Sequence, residues 1–377
     1  MPQSWEKYLK RWTGAGFLDE DQAARIREYE TEENRTGGFK WPVWVAISLG
    51  AILIGAGALL FVAAHWDTLS PVGRFVCVLL PLVLFHVGGS LAATRFSALS
   101  CALHAIGTIW LGSAIFMTAQ IFNLQEHWPR GVMLWAIGSV ATWLILRDWP
   151  HVVLSAILVP TWLCSEWMSA NWDSERADLI LSEGLLLLSI AYLTSVMNSK
   201  KTPARIAIAW LGGVTVIPCA FMMAIFGSPE FYYLGELSGF DLAIGYGFAM
   251  LLPLIFAWLL RGRGALYNLI AVLWIVLLEL SFNAWRVYYL NIFSYLLWGL
   301  GSIGLIAWGL KERRKERINL GILGFGLTVL AFYFSSVMDK IGRSVSLIGL
   351  GILFLFGGWL LEKTRRRLVA RVKGGES

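Results

Sequence analysis

Charge is scarce in this chain. Only 15% of its 377 residues are Asp, Glu, Lys or Arg, against 57% hydrophobic, too apolar a balance for a soluble domain of this length. Cysteine is scarce too. Cys77, Cys101, Cys164 and Cys219 stand alone inside apolar segments with no CxxC pair, which argues against a redox or metal centre. No GxxxxGK followed by Ser or Thr occurs, no Ser sits in a GxSxG context, and no His pair has HExxH or HxxxH spacing. Readings as a P-loop ATPase, a serine hydrolase or a helix-borne metalloprotease therefore fail. No metal and no cofactor is expected.

What the chain has instead is long apolar runs. Twelve of them, at 43–64, 73–93, 99–122, 131–146, 152–168, 178–197, 206–226, 242–260, 265–283, 290–310, 318–337 and 344–361, lie near the ~20 residues a helix needs to cross a bilayer. The basic residues mark the gaps alternately. Residues 1–42, the even gaps and the tail hold 25 of the 31 Lys and Arg, and the odd gaps hold only Arg74, Arg130, Arg176, Arg286, Lys340 and Arg343. Positive charge beside helix ends stays cytoplasmic, so an even number of spans with both termini inside is expected. The net charge of +6 then reads as topology and contact with anionic headgroups on the cytoplasmic side, not as nucleic-acid binding. Trp residues such as Trp41, Trp66, Trp128, Trp149 and Trp172 fall at the drawn boundaries, as an interfacial belt does. The charged first ~40 residues and the length of the first apolar run favour an anchor over a cleaved signal peptide.

The expected fold is all-α and polytopic, with about twelve transmembrane helices and an N-terminal cytoplasmic helical hairpin. Its parts are 1–38 for hairpin and linker, 39–226 and 227–361 for two six-helix halves, and 362–377 for a basic cytoplasmic tail. In the hairpin, Trp5, Tyr8, Leu9 and Trp12 recur at helical spacing. Thr13-Gly-Ala-Gly16 ends the first helix, and Asp19 with Gln22 forms a capping box for the second. A unit this small needs something to dock on through residues 1–35: the membrane surface, the transmembrane body, a second copy or a protein partner.

The two halves are drawn from matches between span n and span n+6. Leu79-Leu-Pro-Leu-Val83 answers Leu251-Leu-Pro-Leu-Ile255, Trp135-Ala-Ile-Gly-Ser-Val140 answers Trp298-Gly-Leu-Gly-Ser-Ile303, and Gln120-Ile-Phe-Asn123 answers Glu279-Leu-Ser-Phe-Asn283. Together they point to a parallel six-plus-six duplication.

Several stretches resemble the DUF2157 family of bacterial membrane proteins. They are Trp12, Gly16-Phe-Leu18 and Gln22, then Gly50-Ala-Ile-Leu-Ile-Gly-Ala-Gly57 leading to His65-Trp66-Asp67, then Gln120-Ile-Phe-Asn123 and Trp135. Arg317-Ile-Asn-Leu-Gly321, Phe332-Tyr-Phe334 and Gly357-Gly-Trp-Leu-Leu-Glu-Lys363 fit its C-terminal part. His65 stands where the family has Asn, and Phe332 where it has Arg. The resemblance implies a multi-pass protein of the bacterial inner membrane and supplies no reaction.

Ionisable groups inside spans are functional candidates. The cytoplasmic half of the membrane looks nearly bare of them, and the outer end does not. Gln120, Asn123, Glu279 and Asn283 form a candidate central polar site between the halves, with Arg286 as the nearest partner for Glu279. His65, Asp67, Glu126, His127, Glu166 and Arg286 are further outer-face candidates. Glu183 reads as a headgroup-level cap, and His86 and His104 as hydrogen-bonded between helices. Pro81 and Pro253 are candidate kinks at matching places in the halves. These features favour a secondary transporter, exporter or flippase. The alternatives are a non-catalytic scaffold or sensor working through the hairpin, and an enzyme acting on lipid-linked substrate at the outer leaflet.

Overall fold

A computed structural model describes residues 4–37, 64, 66–124, 127–196, 202–227, 237–284 and 291–337, with single positions between 348 and 363. Among them every element is helical and no strand occurs. The chain divides into two units, residues 1–74 and 75–377.

In the first unit, α1 (Ser4–Gly14) and α2 (Glu20–Gly37) pack as a hairpin. Gly16 takes φ +75°. This lets Phe17 N–H reach the carbonyl of Trp12 at 3.0 Å and Gly16 N–H that of Thr13 at 3.1 Å, a Schellman closure that needs a left-handed residue at this point. The capping box forms as expected. Gln22 N–H donates to Asp19 Oδ1 at 2.7 Å, and Asp19 N–H donates to Gln22 Oε1 at 3.2 Å. Leu9 and Ala23 are buried between the helices, whereas Tyr8, Trp12, Phe17 and Tyr29 are exposed. A 3₁₀ turn over Trp66–Thr68 follows. Its Trp66 carbonyl accepts from Arg74 Nε at 2.8 Å.

The long helices are α3 (Pro71–Ala92), α4 (Ser97–Ile121), α5 (Pro129–Leu146), α6 (Trp149–Ala170), α7 (Glu175–Leu193) and α8 (Pro203–Phe226). After them come α9 (Gly239–Tyr246), a π-turn (Gly247–Leu251), α10 (Leu252–Arg261), α11 (Leu266–Ala284), α12 (Asn291–Lys311) and α13 (Lys315–Phe332). Eight stretches among the described residues are long and apolar enough to cross a membrane, and one of them, 239–281, holds α9 to α11. Ten of the twelve expected spans thus coincide with helices. Expected span 43–64 lies outside the described residues except for position 64, and 344–361 lies largely outside them.

The bundle is organised around α7, which carries four ionisable residues, Glu175, Arg176, Asp178 and Glu183. Twelve of its 19 residues are buried, as befits a helix surrounded by others. Leu179, Leu186, Leu187 and Ile190 pack against Val216 and Met223 of α8, Ile275 and Leu278 of α11, and Leu297 of α12. Gly212 permits the tight α7–α8 contact, because a Cβ there would stand 2.2 Å from the Leu193 nitrogen.

Both ends of α7 are satisfied. Ser174 caps its start, with Oγ accepting from Ala177 N–H, and Arg261 Nη1 donates to the carbonyl of Thr194 at its end. The π-turn also has a local cause. The ring of Pro253 would meet the carbonyl of Ala249 in a regular helix, and the wider turn relieves this. Pro81, its counterpart in the repeat matching, sits inside an unbroken α3. The two prolines therefore do not distort their helices alike.

Candidate functional site

A buried ionic cluster lies where α7, α9 and α11 meet. Arg176 pairs with Glu279 and donates to Tyr246 Oη at 2.6 Å, while Tyr246 in turn donates to the Glu279 carboxylate. The guanidinium carbon also stands 5.7 Å from the centre of the Tyr246 ring. Glu279 is only 8% exposed, so it needs such a partner, and the pairing joins residues 103 positions apart. The expected partner, Arg286, lies outside the described residues.

Glu183 completes the cluster. It follows Arg176 by two turns on the same face of α7 and feels the charges of Glu279 and Arg176. It is not the headgroup-level cap read from the sequence. It is fully buried, about 12 Å into the helix, and neither carboxyl oxygen has a hydrogen-bond partner among the described residues. An isolated carboxylate in so apolar a place is too costly to persist, and such a group takes up a proton instead.

A groove of about 760 Å³ adjoins the cluster. Its floor is Leu181, Gly184, Leu185 and Leu188 of α7, and its walls are α6 and the α9–α10 unit. Gly184 and Gly245, the immediate neighbours of Glu183 and Tyr246, both line it. At one rim stand Glu166, Asn171 and Asp241. Glu166 accepts from Trp162 Nε1 at 3.1 Å and pairs with His127 Nε2 at 2.7 Å, with both side chains more than a third exposed.

Another ionic cluster lies in the gaps between the drawn spans, at the end expected to face the cytoplasm. Glu312 pairs with Arg261 at 2.6 Å and Arg317 at 2.7 Å, two nearly fully buried cations. Both guanidiniums also lie over the Trp308 ring, at 5.3 and 5.4 Å. Burial pushes the Glu312 carboxyl up. Hydrogen bonds from Arg261, Trp308 and Arg317 and the charge of Arg317 outweigh this and hold it below its ordinary value. Two of the basic-gap residues, Arg261 and Arg317, thus turn inward onto Glu312.

A second polar group joins α3, α4 and α6. His86 Nδ1 and His104 Nδ1 are 3.0 Å apart, an interhelical bond as expected. Each imidazole lies where the opposite helix has a glycine, His104 against Gly89 and His86 against Gly107. Nearby, fully buried His151 bonds Asp148 at 2.6 Å and Thr108 Oγ1 at 2.9 Å. No group of three or more metal-ligating side chains occurs among the described residues.

The other candidates are scattered. Gln120 and Asn123 are exposed at the end of α4, which packs on α5 and α6, whereas Glu279 belongs to α11, packed on α7 and α12. These two do not join Glu279 in one site. Asn283 lies in α11 and Asp67 in the 3₁₀ turn, with their side chains outside the described residues. His65, Glu126 and Arg286 lie wholly outside them. Arg176 and Tyr246 were missed. The available signal was the pair Arg176 and Glu183 at i, i+7 on an otherwise leucine-rich helix.

No curated protein and no solved structure matches the chain. Its hairpin and the first of its long helices do find a match: residues 10–152 fit the DUF2157 family, described as a predicted membrane protein.

Proposed function

We propose that the chain is a secondary transporter or flippase of the bacterial inner membrane, with twelve spans, cytoplasmic termini and a proton-binding centre at Glu183. The observation that carries this reading is the Glu183 carboxyl, buried in the central helix with no hydrogen-bond partner among the described residues, beside the Arg176–Glu279–Tyr246 network. A costly ionisable group at membrane depth is a proton-relay candidate. Protonated, Glu183 leaves Arg176 to Glu279. Deprotonated, it becomes a second carboxylate competing for the same cation, and relieving that competition shifts α7 against α9 and α11. The π-turn at Gly247–Leu251, a feature frequent at functional sites, lies on the moving contact. Since the sequence has no nucleotide motif, an ion gradient supplies the energy.

The six-plus-six architecture is supported by the matched motifs and by equivalent packing neighbours. Helices α4, α5 and α6 pack in sequence, as do α11, α12 and α13, six spans later. A second reading, a scaffold that engages a partner or another copy, is favoured by the exposed rings of Tyr8, Trp12, Phe17 and Tyr29 on the hairpin.

The test is a pH jump on full-length protein in supported proteoliposomes, read as the transient current of proton binding. The wild type is expected to give a transient that Glu183→Gln removes. An unchanged transient in the variant contradicts the reading.

A further inference from the structure

We infer that the groove between α6, α7 and the α9–α10 unit binds an acyl chain of a zwitterionic bilayer phospholipid. The inference deepens the transport reading and names its substrate class.

The first ground is shape. The groove follows α9–α10 from 241 to 259, about 27 Å at 1.5 Å per residue, close to the ~30 Å of a bilayer's hydrocarbon core. Its volume over that length is about 760 Å³.

The second ground is chemistry. Water in that volume would number about 25 molecules, each wanting two to four polar partners. The lining offers almost none away from the rim. On α7, Leu181, Gly184, Leu185 and Leu188 line the groove, flanked by Ile180 and by Tyr192, whose hydroxyl is taken up by the Ala156 carbonyl. The first four, at i, i+3, i+4, i+7 spacing, make a continuous apolar stripe. A flexible hydrocarbon chain fills such a space without leaving a polar group unpaired.

The rim then selects the headgroup. Asp241, with Glu166 beside it already paired to His127, sets acidic groups at one end, which favour a headgroup that brings an ammonium over one that is only anionic.

The test places the full-length protein in nanodiscs with phosphatidylethanolamine carrying a photoreactive diazirine in its acyl chain. Labelling is expected on residues 155–167, 181–188 and 245–256, at least about fivefold above the exposed face of α8 around Val214 and Phe221. Leu185→Trp, which fills the floor, should remove the groove labelling, while Val214→Trp should not. Uniform labelling of all exposed faces overturns the inference, as does groove labelling that Leu185→Trp leaves intact. Crosslinking of the groove to segment 43–64 in place of lipid also overturns it. Glu183 does not line the groove, so Glu183→Gln should leave labelling unchanged. A transient that is missing in the wild type or unchanged in Glu183→Gln, with labelling intact, would end the transport reading alone, and a Glu183-dependent transient without groove labelling would end the lipid site alone.

Discussion

Removing the Glu312 carboxylate should damage the protein far from the proposed transport centre. The carboxylate is the counterion for Arg261, 5% exposed, and Arg317, 1% exposed. Glu312→Gln keeps the shape and leaves two buried guanidiniums without their counterion. Breaking a buried pair in this way costs about 3–5 kcal/mol. The low end applies because 22% of the acid's side chain reaches solvent. About 3 kcal/mol corresponds to a fall of roughly 4 °C in melting midpoint for a chain of this size, read by thermal unfolding of detergent-solubilised protein. The pH dependence fixes the sign. The folded carboxyl sits below its ordinary value, so its stabilisation is fully present above the unfolded-chain value of about 4.3 and is lost as pH falls through the folded value. The gap between wild type and variant should hold from neutrality to about pH 5 and close below about pH 4. A variant that melts within about a degree of wild type at neutral pH would refute the reasoning.

Other perturbations test the packing around α7. Arg176→Met should lower the melting midpoint by the equivalent of about 3 kcal/mol, and adding Glu279→Met should recover much of it, because an apolar pair replaces a buried ionic one at little cost. Gly212→Ala drives a methyl into the α7 backbone, so a loss of about 3 kcal/mol or a drop in monodisperse yield is expected on size exclusion, as for overpacking in a rigid core. Asp19→Ala removes one half of the capping box, costs about 1 kcal/mol, and should speed limited proteolysis within residues 1–37 without changing the melting of the rest.

The elements legible in the sequence were those fixed by short-range rules. Twenty-residue apolar runs fixed the helices from α3 to α13, and the Asp19-to-Gln22 spacing fixed the cap of α2. The arrangement of the helices was not legible, because it depends on which of many similar apolar faces meet. Helix α7 reads as an ordinary span with charged ends, and only packing on α8, α11 and α12 makes it the centre. Glu279 announced its need for a partner, yet nothing local could name Arg176, which lies 103 residues earlier. The basic gaps gave topology but not the contacts of their side chains. Lys and Arg near helix ends report topology whether they face solvent or, like Arg261 and Arg317, turn inward over Trp308.

The central claim is that Glu183 holds a proton within the membrane and releases it during the working cycle. Infrared difference spectroscopy of the reconstituted full-length protein, across a pH step, reads this directly. The account predicts a carbonyl band of a protonated carboxyl that is present at neutral pH, insensitive to removal of other carboxyls such as Glu166, and absent in Glu183→Gln. A spectrum in which Glu183→Gln leaves every protonated-carboxyl band in place would contradict it.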